Sequence, residues 1–572
     1  MASPRALAAP LPASARPVRQ ALAFDERVMR AGLLLLLLYL AITVVLPLWA
    51  LFAKAFEGPE GGFAGLANFA AYAATPALTS SLRNALVVAT LSTAICIALA
   101  FGYAYALTRT CLPGKSLFAA VATVPLLAPS LLPAIALVYL FGNQGLARWA
   151  LFGHSIYGPI GIVIGEVFWT FPHALIILTT ALSTADARLY EAALALKASP
   201  ARIFFTVTLP AVRYGLISAT FVVFTLVITD FGVPKVIGGS YNVLALDVYK
   251  HVVGQQNFRM GAVVGMILLV PAVLSFVVDR FAQKRQAALL SARAVPYVPK
   301  PDPLVDGAAF VFCALVACAI LSILGVAVFA SFVNFWPYDL SFSLKNYDFD
   351  NMDGGGWESY RNSLEMATLT AVFGTALVFT GAWLVEKTRA FVWVRGLAHL
   401  AALLPLAVPG LVMGIGYVFF FVEPSNPFHF LYGSMAILVV CTIAHFYSVA
   451  HLAAVTALKQ LDPEFEAVSA SLKVPLYRTF LKVTVPVCLP AVLDIAAYFF
   501  VNAMTTVSAV VFLYSPRTQL ASIAVLNMDD AGDIAPAAAM AVLIFATSAL
   551  VRGAYALLVR RLLARTQAWR SR

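Results

Sequence analysis

Charge is what this sequence has least of. Asp, Glu, Lys and Arg make up 11% of its 572 residues, while 62% are hydrophobic. A soluble globular chain carries about a quarter charged residues, so that class is excluded. Cysteine chemistry is missing too. The six cysteines (Cys96, Cys111, Cys313, Cys318, Cys441, Cys488) form no CxxC pair and have no histidine at metal-binding spacing. They read as small membrane-core residues, and no metal site is expected. A nucleotide site is also absent. Pro113-Gly114-Lys115-Ser116 has the ending of a phosphate-binding loop, but G-x-x-x-x-G-K-[ST] needs a glycine where Arg109 stands, so the segment reads as a turn. No Ser-His-Asp set and no HExxH occurs. Neither an enzyme site nor a cofactor held by this chain is expected.

What is present is apolar runs of spanning length. About twelve stretches suit helices crossing a hydrocarbon core of roughly 30 Å, since backbone in lipid must satisfy its own hydrogen bonds. They lie near 31–53, 83–108, 116–141, 157–182, 209–231 and 258–279, then 308–333, 363–386, 396–421, 431–456, 487–513 and 534–559. The fold class is all-α polytopic membrane protein. With an inside N-terminus, segments 1–30, 109–115, 186–213, 280–300, 387–395, 459–482 and 552–572 hold 29 of the 38 Lys and Arg. That bias places both termini in the cytoplasm. It accounts for the net charge of +11 with a lipid bilayer as partner and no nucleic acid. The acidic groups Asp348, Asp350, Asp353, Asp529, Asp530 and Asp533 fall in outside loops and read as solvated faces. The basic lead and full-length first run favour an uncleaved first span over a signal peptide.

The halves repeat at a shift of about 276–280 residues. Asn84 matches Asn362, Arg109 matches Arg389, Pro125 and Pro129 match Pro405 and Pro409, and Pro210 matches Pro486. Six spans per half is even, so the halves share one orientation and are expected to be related by a pseudo-twofold along the membrane normal. The organisation expected is a cytoplasmic tail at 1–30, a first half at 31–280 (core about 80–280), a linker at 281–307, a second half at 308–560 (core about 359–559) and a basic tail at 561–572.

Between the fourth and fifth spans of each half lies an amphipathic segment, Asp186–Pro210 and Leu461–Pro486. Leu189, Ala193 and Leu196 form one helical stripe, and Phe465, Val468 and Leu472 repeat it. Ser199-Pro200 suits a cap and first position of a following helix. Each segment is expected to be a helix–turn–helix elbow on the inner membrane surface. One alone could simply lie among headgroups; two at the same place in both repeats argue for a shared task.

These elbows resemble the EAA loop of ABC importer permeases, in which Glu-Ala-Ala is followed by Gly four residues after the last Ala. Glu191, Ala192 and Ala193 match, then Leu196, with Lys197 at the Gly position before Ala198. The second half has Ala467 where the Glu falls, Glu466 beside it as a substitute, then Leu472 and Lys473 at the Gly position. Because Lys carries a Cβ, a left-handed backbone is disfavoured there, and the elbow is expected to close by other geometry. Thr229–Ala262 and Thr505–Met540 look like the fused permease of 2-aminoethylphosphonate importers, itself similar to ferric-iron permeases. The general resemblance covers nearly the whole chain after residue 30. It implies two tandem six-helix type I ABC permease units in a bacterial inner membrane. It further implies two copies of an ATPase subunit that hold the ATP, a periplasmic substrate-binding protein, and alternating access driven through the elbows. The two ATPase contacts are expected to differ, the first being nearer the family pattern.

Ionisable groups inside spans are costly and often functional. Glu166, Trp169 and His173 share a helix face, Asp230 closes the fifth span, and His445 and Asn502 lie in the tenth and eleventh. They are the candidate translocation path, Glu166 foremost; for any single one of them interhelical hydrogen bonding is the more frequent role. Ferric iron, thiamine or polyamine remain open as cargo. A major-facilitator secondary transporter also has twelve spans in two repeats, but its Gly-Asp-Arg loop is missing from "TRTCLPGKS", and it leaves the elbows unexplained.

Overall fold

The computed structural model describes residues 24–289, 295–388, 391–462 and 464–566. The N-terminal tail before Phe24, Arg389 of the repeat match, part of the linker and the last six residues lie outside the described residues. Among the described residues nine helices are long and apolar enough to cross a membrane, and three bent pairs bring the number to twelve. The continuous spans are Phe24–Ala55, Pro76–Arg109, Pro159–Ser183, Pro200–Thr229, Phe258–Arg285, Pro303–Ser331, Gly356–Lys387, Met435–Lys459 and Ile534–Arg561.

The bends lie where proline removes a ladder donor and crowds the preceding turn. The third span is Lys115–Leu127 followed by Leu131–Phe141 at 105°, and the ninth is Val392–Ala407 followed by Gly410–Phe421 at 115°. In each, a proline (Pro125, Pro405) sits in a 3-10 turn that ends the first arm. The eleventh span breaks by 77° between Leu476–Val487 and Leu489–Thr505, flanked by Pro486 and Pro490. The third and ninth spans, expected near 116–141 and 396–421, are therefore bent pairs rather than single helices. Leading out of each elbow is a π-helical turn at the same repeat position, Phe204–Thr208 and Phe480–Thr484. Single π-turns widen a helix locally and recur at working sites.

Both bends are pressed against the segment that follows the fifth span of their own half, and the contact is built from a serine and a glycine with their places exchanged. A Cβ on Gly232 would lie 2.2 Å from Ser130 Oγ; a Cβ on Gly410 would lie 2.3 Å from Ser508 Oγ. Ser130 corresponds to Gly410 and Gly232 to Ser508 in the repeat. Each half thus has room for one side chain there and supplies it from opposite strands of the contact.

The first span of each half crosses to the other half. In the first span, the Thr43 carbonyl accepts from Tyr417 Oη at 2.7 Å, and Arg30 lies over the Phe391 ring at 4.9 Å. In the seventh span, Asp306 Oδ1 accepts from the Cys111 amide at 2.7 Å, and Phe310 meets Phe118 edge-on at 5.7 Å. Buried apolar residues run continuously through both halves. On the side away from the elbows the halves also meet directly. Lys235 pairs with Asp530 at 2.7 Å, and Tyr249 faces Phe512 at 6.3 Å. Burial and the neighbouring Asp530 push the Asp529 carboxyl up to about 6, against the pull of Lys235.

Candidate functional site: paired elbows and intramembrane polar groups

The first elbow begins at Ala187–Ala195. Asp186 caps it, accepting from the Arg188 amide at 3.1 Å and pairing with its guanidinium. The linker lies alongside, with the Ala187 amide donating to the Val295 carbonyl at 2.9 Å and the Val295 amide donating to Asp186 Oδ1 at 3.4 Å. The Arg188 side chain and then the Arg188 and Val295 amides hold the Asp186 carboxyl down at about 2. Ser199 caps the next turn by accepting from the Arg202 amide at 3.3 Å, with Pro200 at the first position, as the sequence suggests.

The turn between the two helices overturns one expectation. Lys197 has φ 52° and Lys473 φ 54°, both left-handed. The reason is the hydrogen bonding of the helix end. Ala198 N donates to Ala193 O at 3.0 Å and Lys197 N to Leu194 O at 2.9 Å; Val474 N donates to Ser469 O at 2.9 Å. These bonds satisfy carbonyls that would otherwise be orphaned, and they require the residue after the cap to be left-handed. The elbows therefore close by the glycine geometry, with a lysine carrying a cost of about 1–2 kcal/mol.

The apolar stripe reads differently in three dimensions. On the first elbow Leu189 and Leu196 are exposed, the latter by 83%, whereas the buried face is Ala187, Tyr190 and Ala193. On the second, Phe465, Val468 and Leu472 are all exposed, the last by 70%. Ala192, Lys197, Ala467 and Lys473 are exposed with them and Ala198 is half-buried. Each elbow so presents a small apolar surface outward. The two acidic residues differ: Glu191 is exposed, while Glu466 pairs with Lys387 at 2.5 Å.

Of the intramembrane candidates, the structure brings together Glu166 and Asp230. Glu166 is 0% exposed and neither of its carboxylate oxygens has a donor; its neighbour is the Asp230 carboxyl. Carboxylates only accept, so two in contact need a shared proton or a cation between them. Asp230 Oδ2 also accepts from the Val233 amide at 2.8 Å, tying the pair to the segment on which Lys235 stands. Trp169 and His173 meet at 5.6 Å on the same helix with their rings tilted by 50°. His445 and Asn502 stand apart in the second half: His445 packs on Phe446, and Asn502 Nδ2 donates to its own helix at Tyr498 O. At the repeat positions of Glu166 and Asp230 the second half has Thr442 and Thr506.

Four features were missed from sequence. Tyr190 and Lys387 brace the elbows. Asp279 lies buried at the elbow end of the sixth span, bonded to Ser218 and accepting from Gln283 at 2.8 Å. His399 and His451 meet at 3.1 Å between the ninth and tenth spans. Apart from the i,i+4 bond of Asp279 to Gln283, each pairing joins residues on different helices, and no local pattern marks it.

Two homologous bundles, each with a proline-bent third span and an elbow after the fourth, define a polytopic membrane protein of the two-repeat transport class. The chain belongs to the family of binding-protein-dependent transport system inner membrane components, which matches twice, at residues 99–287 and 378–564. Among similar proteins is the ferric transport system permease protein FbpB of Actinobacillus pleuropneumoniae, 27% identical over 454 residues, 76% of this chain. The chain spans 64% of that relative's length. A putative ferric transport system permease protein FbpB 1 of Haemophilus influenzae is 26% identical over 73% of this chain and 68% of its own length. A putative 2-aminoethylphosphonate transport system permease protein PhnU of Salmonella paratyphi A is 27% identical over 44% of this chain and 91% of its own length.

Proposed function

We propose that the chain is the membrane pathway of an ATP-driven importer, with both permease halves on one polypeptide. The observation that carries this reading is the pair of elbows, at one place in both repeats, each ending in the same left-handed lysine turn and each turning apolar side chains outward. Two ATPase subunits dock on them from the cytoplasm and hold the ATP. A binding protein delivers cargo on the opposite face. Closure of the ATPase pair draws the elbows together and rocks the halves, opening the path outward; hydrolysis resets it. The Lys and Arg bias supports cytoplasmic elbows and termini.

For cargo, 2-aminoethylphosphonate is the reading taken from the sequence resemblance. The Glu166–Asp230 pair suits a cargo with a cationic group, here the ammonium. Ferric iron is the second reading, favoured by ferric permease relatives that span three quarters of this chain. The role of Glu191 is a contact with the ATPase; Glu466 acts through Lys387. Leu189→Asp combined with Val468→Asp is expected to abolish ATPase co-purification and ATP-dependent uptake while the chain stays folded. Intact co-purification with intact uptake would overturn the docking assignment. Competition between 2-aminoethylphosphonate and ferric iron for uptake separates the two cargo readings.

A further inference from the structure

The two elbows are braced differently. In the first half, Tyr190 is buried, and its hydroxyl donates to Thr208 Oγ1 at 3.1 Å. Tyr297 of the linker packs on it at 4.8 Å with the rings tilted by 53°, and Arg109 lies over the Tyr297 ring at 4.6 Å. Two phenol rings thus fill the space between the elbow and the spans behind it.

In the second half the position of Tyr190 is held by Glu466, which turns away to Lys387. The position of Thr208 is held by Thr484, and Thr484 lines a cavity of about 480 Å³. Trp383 and Phe480 form its aromatic wall, their rings 4.5 Å apart. Thr388, 3% exposed, lines it with a hydroxyl that has no hydrogen-bond partner; Thr108, its counterpart, is satisfied by Ala104 O at 2.8 Å. The charged groups of the cavity are matched: Glu26 pairs with Arg30 at 2.7 Å, Glu466 with Lys387 at 2.5 Å, Asp25 accepts from the Leu476 amide at 3.0 Å, and Lys473 also stands on the lining.

We infer that this cavity at the second elbow is a binding site for a small phenol. The occupant is read from the molecule itself. The matching space in the first half is filled by phenol rings, the walls are aromatic, and a buried hydroxyl lacks its partner. The bound ring does for the second elbow what Tyr190 does for the first, holding it against the first and eighth spans. Binding itself does not depend on the elbows being ATPase docks; its effect on transport rests on that reading.

The test uses the full chain in lipid nanodiscs and tyramine as the probe, with phenethylamine as its counterpart of equal charge lacking the ring hydroxyl, in equilibrium dialysis. Saturable binding of tyramine is expected, with phenethylamine roughly fivefold weaker. Glu466→Tyr, which rebuilds the first-half filling, and Thr484→Met, which narrows the cavity at its elbow end without touching the Lys387 pair, are both expected to weaken it at least about tenfold. Thr388→Val should weaken it by roughly fivefold, the loss of one hydrogen bond. Non-saturable uptake of tyramine, equal binding of phenethylamine, or unchanged binding in both cavity variants would overturn the assignment. In the assembled complex, tyramine should alter ATP hydrolysis by the wild type and not by Thr484→Met. Binding without that effect would leave the site standing and remove its link to the elbow reading.

Discussion

Gly232→Ser places a second side chain in a contact built for one. The new Cβ would start 2.2 Å from Ser130 Oγ and 3.1 Å from Ser130 Cβ. The hydroxyl can swing away, which removes the first clash. The 3.1 Å approach of the two Cβ atoms remains and forces a shift of a few tenths of an ångström in the bend of the third span. Overpacking of this kind costs about 1–3 kcal/mol, and the mobile hydroxyl argues for the lower part, about 1–2 kcal/mol. Ser130→Gly alone leaves a small void and should cost about 1 kcal/mol or less. The double variant Ser130→Gly/Gly232→Ser recreates the arrangement that the second half already uses at Gly410 and Ser508. It should recover most of the loss, giving a coupling of about 1 kcal/mol or more between contacting residues. Thermal unfolding of the four proteins in one detergent supplies the cycle. Additive losses, with the double variant no better than Gly232→Ser, would refute the exchange.

The elbow turns give a second expectation. Lys197→Gly and Lys473→Gly should be neutral or stabilise by up to about 1 kcal/mol, since left-handed strain is relieved while chain entropy rises. Lys→Val at either position should destabilise more strongly; helix-end amide exchange reads both. Asp25→Ala removes the acceptor that receives the Leu476 amide at 3.0 Å and should loosen the second elbow by about 1 kcal/mol, seen as faster exchange at Leu476. For Asp186, whose folded carboxyl is held at about 2 against an ordinary value of 3.8, the contribution is present above the ordinary value and fades as pH falls from about 4 through about 2. Protection of the Ala187 amide, which the linker covers, should fall over that window and be pH-independent there in Asp186→Asn.

The spans were legible because twenty apolar residues in a row have few other uses, and the repeat was legible because prolines and the elbow residues recur at one spacing. The bends were half legible: Pro125, Pro129, Pro405 and Pro409 were visible, but their angle depends on what the second arm packs against. The crossing of the first spans was not legible, since lipid-facing and partner-facing surfaces are equally apolar. The lysine turn was misread because local propensity, about 1–2 kcal/mol, yields to carbonyls that need donors. The Glu166 face was legible from helical spacing, yet its meeting with Asp230 joins two helices and could not be. Tyr190 was hidden beside the Glu-Ala-Ala match, and its loss in the second half shows only when Thr208 and Thr484 are compared in space.

The central claim is that transport through this chain is driven by ATP acting through both elbows. Its most direct measurement is uptake of 2-aminoethylphosphonate or ferric iron into proteoliposomes holding the chain, the ATPase and the binding protein, with and without ATP and with ion gradients collapsed. The account predicts uptake that needs ATP, survives collapse of the gradients and is lost when apolar residues of either elbow, such as Leu189 or Val468, are replaced by Asp. Uptake of either cargo that proceeds without the ATPase and stops when an ion gradient is dissipated would contradict it.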